Sequence, residues 1–142
     1  TNLKTMTVID MQTMRYINLL DRASHVRTHK CFSYNNTIIF AVPKHFLHRA
    51  IGPDAMHVRA LNEQLGKRVR IIAEPEGIQD AERFILDIVA PVKFKSLELK
   101  DNVFVLTAGS QSKAALIGRN RRREAELQNI LYGAFGFDIK II

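Results

Sequence analysis

Apolar residues recur along this chain at two spacings, and the order in which the spacings alternate predicts its elements. Val8, Met11, Met14, Ile17 and Leu20 follow a helical period after "TVID", where Thr7 and Asp10 form a capping-box-like start, and predict a helix over 7–22. "VRTHKCFSY" and "TIIFAV" read as two strands joined at Asn35-Asn36, a pair suited to positive φ. Pro43 closes the second strand and precedes a short helix, "KHFLHRAI". Gly52-Pro53 interrupts that helix, "AMHVRALNEQL" restarts it, and Gly66 caps it before the alternating strand "KRVRIIA".

The same order then returns. "GIQDAERFILDIVA" carries Ile78, Ala81, Ile85 and Ile88 at helical spacing, and Pro91 stops it. "VKFKSLEL" and "NVFVLTA" are strands around a turn at Lys100-Asp101-Asn102. "SQSKAALI" is a helix opening at Ser110, broken at Gly118 and resumed through "RRREAELQNILYGAFG", and "FDIKII" is the last strand. Ile51-Gly52 precedes Ile117-Gly118 by 66 positions, as Leu61 and Leu65 precede Leu127 and Leu131. After an apparent insertion of four residues near "GAFG", "VRII" at 69–72 matches "IKII" at 139–142. A repeat of this kind sets the architecture. The expectation is an α+β chain of two tandem copies, 1–75 and 76–142, each a three-stranded sheet packed by helices, joined near "EPEG".

Composition narrows the function. Twenty-one Lys+Arg against 14 Asp+Glu give a net charge of +7, which favours a polyanionic partner because neutralised phosphates release counterions. No apolar run approaches the roughly 20 residues that span a bilayer, so no membrane association is expected. "TNLKTMTVIDMQ" lacks the layout of a signal peptide, and the single cysteine, Cys31, excludes a disulfide framework; a reducing cytoplasm is the expected location.

The break between the paired helices carries the chemistry. A restarting helix directs free N–H groups and its positive dipole end at the corner, and glycine lets another backbone approach closely. That combination holds phosphate, and beside an apolar groove it suits a single strand with splayed bases. One Gly-x-x is weak evidence; the same corner in both copies, preceded by isoleucine and followed by a helix and an "RVRII"-like strand, is strong.

The stretches "AIGPDAMHVRALNEQLGKRVRIIAEPEG" and "LIGRNRRREAELQNILYGAFGFDIKII" resemble the tandem type II KH domains of the archaeal NusA-like transcription factors, over about 7–142. The resemblance implies single-stranded RNA binding during elongation, termination or antitermination, RNA polymerase as a second partner, no cofactor and a monomer. It implies an RNA-binding set of Ile51, Gly52, Pro53, Asp54, Ala55 and Arg59 at the first corner. At the second corner the set is Lys113, Ile117, Gly118, Arg119, Asn120, Arg121, Arg122 and Arg123. Val69 and Ile139 are expected to begin edge strands whose backbones pair with bases.

Both loops depart from the Gly-x-x-Gly pattern of KH domains, since Ala55 and Arg121 stand where the second glycine belongs. Pro53 removes one N–H donor, and Asp54 puts a negative charge where a phosphate would sit. The second loop instead gathers Arg119, Arg121, Arg122 and Arg123, expected around the sugar-phosphate chain. The alternative is a solvated helix start in which Glu124 and Glu126 pair with arginines at helical spacing.

Other groups have plainer readings. His45 and His48 lie three apart, but no carboxylate or cysteine completes a metal set among them and His25, His29 and His57. Cys31 reads as a small core residue without a paired base, and Asp80, Glu82 and Asp87 as an exposed helix face. Phe32, Phe40, Phe84, Phe94 and Phe104 fall at core positions. No nucleotide-binding glycine loop or hydrolytic triad is present, so no enzyme activity is expected. Against the RNA-binding reading stand a module that docks on RNA polymerase and a ribosome-associated KH protein.

Overall fold

The computed structural model describes residues 2–142, with side chains from Met11 onward. The chain splits into two compact units, Thr1–Glu74 and Pro75–Ile142. The first runs α1 (Asn2–Ser24), β1 (Lys30–Tyr34), β2 (Thr37–Val42), α2 (Leu47–Ile51), α3 (Met56–Leu65) and β3 (Arg68–Ala73). The second runs α4 (Ala81–Val89), β4 (Ser96–Lys100), β5 (Val103–Thr107), α5 (Ser110–Ile117), α6 (Arg122–Phe135) and β6 (Asp138–Ile141). Short 3-10 turns lead into α2, α3, α4 and α6.

Each unit builds a three-stranded mixed sheet, ordered β1-β2-β3 in the first and β4-β5-β6 in the second. The hairpin strands pair antiparallel and the last strand joins parallel, with Thr37 opposite Arg68 and Val103 opposite Asp138. The parallel pairing follows from chain length: the helix pair between β2 and β3 is the crossover that two parallel strands require. The fold is therefore α+β with two three-stranded mixed sheets packed by helices, the arrangement of tandem KH domains. Both hairpins turn on residues with left-handed φ, Asn35 and Asn36 at 50° and 60° and Asp101 and Asn102 at 50° and 62°. Asn and Asp tolerate that region, and turns with both central residues at positive φ match strand twist.

Local competition moves several boundaries. The first helix begins at Asn2, so Thr7 and Asp10 lie inside it, and their side chains lie outside the described residues. It stops at Ser24 because His25 takes φ 59°, while the Ser24 hydroxyl donates to the Leu20 carbonyl at 2.8 Å. The strand expected from Val26 starts only at Lys30; Thr28 leaves the ladder and donates its hydroxyl to the Ala41 carbonyl. Ile78 is exposed in the 3-10 turn before α4, not on the apolar face of that helix.

In the first unit Tyr16, Leu20, Ile38, Phe40, Val42, Ala50, Leu61, Val69 and Ile71 form one buried cluster. Met11 and Met14, which the helical period assigns to that core, are exposed instead. In the second unit Phe135 meets Phe84 and Phe104 edge-on, with centroids 6.1 and 5.4 Å away. Phe104, Leu106, Leu116, Leu127, Leu131 and Ile139 are buried. Cys31 packs against the first cluster, and burial pushes its thiol up to about 12, where it stays protonated and unreactive. Among the described residues no helix is long and apolar enough to cross a membrane.

Candidate nucleic-acid interface

The two helix corners share one backbone path. Gly52 sits at φ 81°, ψ 163° and Gly118 at φ 75°, ψ 171°. Two residues on, Asp54 (54°, 31°) and Asn120 (56°, 28°) are left-handed, as are Ala55 (58°, 31°) and Arg121 (57°, 26°) after them. Each loop is locked to its own glycine: Ala55 donates its N–H to the Gly52 carbonyl at 3.0 Å, and Arg121 to that of Gly118 at 3.1 Å. The conformation that glycine adopts freely is thus kept without the second glycine.

What packs on the remaining glycine differs. The His57 ring lies against Gly52, where a Cβ would stand 2.8 Å from Nδ1. That nitrogen lies 3.0 and 3.2 Å from the Arg49 and Ala50 carbonyls, which only accept, so Nδ1 carries the proton and caps the end of α2. Sixty-six positions on, Arg123 takes the place of His57, its stem covering Gly118 and its Nε 2.9 Å from Glu126.

The arginine cluster divides into engaged and free members. Arg121 forks onto Glu124 at 2.7 and 3.3 Å, and Glu124 is only 8% exposed. The hydrogen bonds and charge of that carboxylate raise the pKa of Arg121 further. Arg119 and Arg122 are exposed and make no ion pair among the described residues. Charge pairing at helical spacing therefore accounts for two of the four arginines, and two point to solvent at the loop.

The other site residues scatter. Pro53, Asp54 and Arg59 are exposed, and Ala55 and Lys113 are half-buried. Ile51 packs against the first core, and Ile117 is half-buried without lining the cleft described next. That cleft, about 620 Å³, opens between the second loop and the edge strand β6. Asn120, Arg121, Glu124, Ala125 and Gln128 line one side, and Val103, Asp138, Ile139 and Lys140 the other. Gln128, Asp138 and Lys140 escaped sequence reasoning, although Gln128 lies 66 positions after Asn62, another polar residue facing an edge strand. Val69 and Ile139 do lie on edge strands, but their amides are engaged. The Val69 N–H donates to Asn62 Oδ1 at 2.7 Å, and that of Ile139 to Asp138 Oδ1 at 2.8 Å.

No family model matches the chain. It is 27% identical over 124 residues to a protein of Halococcus morrhuae described as "Probable transcription termination protein NusA", covering 81% of this chain and 87% of that one. Among solved structures it is similar to the crystal structure of APE1850, with a TM-score of 0.63 and 25% identity over 91% of this chain and 96% of the other. Each similarity covers more than four fifths of this chain, and in sequence and in fold the chain is similar to archaeal NusA-like proteins.

Proposed function

We propose that this protein is a single-stranded RNA-binding transcription factor, with residues 1–75 and 76–142 acting as two KH domains, working in the cytoplasm with RNA polymerase in elongation, termination or antitermination. It is a transcription factor of the NusA kind and not an enzyme. The observation that carries the RNA-binding reading is the second corner. A glycine loop whose Arg119 and Arg122 are exposed and make no ion pair among the described residues reaches, through Asn120 and Arg121, a cleft beside an edge strand. The net charge of +7 supports it. In this reading Arg119 and Arg122 hold phosphates, while Asn120, Gln128 and Asp138 face bases with amide and carboxylate groups. Ion-paired Arg121 and Arg123 shape the loop, and the first corner, with Pro53 and Asp54, contributes less. Each domain accommodates about four nucleotides.

Fluorescence anisotropy with single-stranded and duplex RNA of equal length tests this. Single strands should bind more tightly, and affinity should fall as salt rises; equal affinities or a flat salt response would overturn it. A second reading, docking on polymerase, is favoured by one observation: the first loop carries an exposed carboxylate and lacks one amide donor. It becomes the better one if the Arg119→Ala/Arg122→Ala protein folds normally and binds RNA like the parent.

A further inference from the structure

A second cleft lies on the outer face of α1, away from either loop in sequence, and its residues contradict the helical period that should have buried them. Met11 is 77% exposed and Met14 46%, while Tyr16, Ile17 and Leu20 on the other side of the helix are buried. Met11, Met14, Arg15, Asn18, Leu19 and Arg22 line a cleft of about 410 Å³. No carboxylate lines it, and neither Arg15 nor Arg22 has an ion pair among the described residues. Clustered exposed apolar groups mark interaction surfaces, and methionine adapts to varied partners through its flexible, polarisable side chain.

We propose that this face docks an acidic amphipathic helix of a partner protein. The partner's apolar residues would pack on Met11 and Met14, at the margin of Leu19, which itself leans on the first core, and its carboxylates would pair with Arg15 and Arg22. Charge complementarity selects this occupant. A second copy would bring the same two arginines together on a chain already at +7. Nucleic acid would meet thioethers and a leucine, which neither donate hydrogen bonds nor offer a flat ring for stacking. Two guanidinium groups are few for an anionic bilayer, where each cation contributes only about 1 kcal/mol. The proposal is independent of the RNA-binding reading, because no residue of either loop takes part.

The chain has four methionines, so labelling their methyl groups with carbon-13 gives a direct NMR readout on the full chain. The probe is a synthetic helix with leucines at helical spacing and glutamates elsewhere, and its lysine counterpart is the control. The acidic peptide should shift the Met11 and Met14 methyls saturably and leave Met56, which is 51% exposed near the first loop, unmoved. Met11→Gln/Met14→Gln should weaken binding on the order of tenfold by removing two apolar anchors. Arg15→Glu/Arg22→Glu should switch the preference to the lysine peptide. These side chains are exposed, so the variants should melt like the parent. The proposal is overturned if Met56 shifts equally or if the glutamine variant binds unchanged. It is also overturned if single-stranded RNA moves the two methyls more than the peptide does, or if they move with protein concentration alone.

Discussion

Ala55 holds a left-handed backbone, φ 58°, that costs an L-residue roughly 1–2 kcal/mol and glycine very little. Ala55→Gly should therefore raise stability by about 0.5–1 kcal/mol, after the greater freedom of glycine in the unfolded chain is subtracted, and a urea midpoint would show it. Arg121→Gly relieves the same strain at the second corner but strips Glu124, a nearly buried carboxylate, of its guanidinium partner. That variant should be less stable than the parent. Sequence placed both residues in the loop; their strain was not legible, because neither alanine nor arginine signals positive φ. Cys31 makes a pH prediction. Its thiol is raised from 9.0 to about 12 in the fold, so between those values the unfolded chain loses a proton that the folded chain keeps. Stability is then whole below pH 9 and falls as pH rises toward 12, with a slope of up to about 1.4 kcal/mol per pH unit. Denaturation of the parent and of Cys31→Val across that window should differ by this slope; parallel curves would refute it.

At the scale of the element, the two corners test what glycine contributes. A Cβ on Gly118 would stand 2.6 Å from Arg123 Cγ and 3.1 Å from its backbone nitrogen, at φ 75°. The side chain can swing away, but the backbone cannot. Gly118→Ala should cost about 1–3 kcal/mol and loosen the start of α6, visible as faster amide exchange from Arg122 onward. Gly66, also left-handed at φ 63°, has open space around its missing Cβ, so Gly66→Asn should be far milder. The corners were legible because a glycine-interrupted apolar period is a local signal. The boundary of β1 was not, because the hydroxyl of Thr28 reaches a carbonyl thirteen residues away and ends the ladder early.

For the whole molecule, charge is the quantity that a partner reads first. With Arg121 and Arg123 engaged by Glu124 and Glu126, Arg119→Ala/Arg122→Ala should weaken RNA binding and lower the salt slope by about two phosphate contacts. The same titration on Asp54→Lys should show tighter binding, since a like charge is removed from the first loop. If the arginine pair is silent while the fold persists, the loops serve docking and the RNA reading fails.

The sequence by itself determined the repeat, the order of elements, the two corners, the Asn-rich and Asp-Asn hairpin turns and the excess of positive charge. These follow from spacing and from residue types with strong backbone preferences, which act over a few positions. Tertiary structure alone decided which face of α1 is buried, which arginines stay free, and that the edge amides of Val69 and Ile139 are already satisfied by Asn62 and Asp138. Those outcomes are contests between partners within a few ångströms. Met11 and Met14 share a helical period with Ile17 and Leu20, but the elements packed on α1, chiefly α3 with α2 and β1, cover only one side of the helix. Periodicity names the candidates for burial, and packing in three dimensions selects among them.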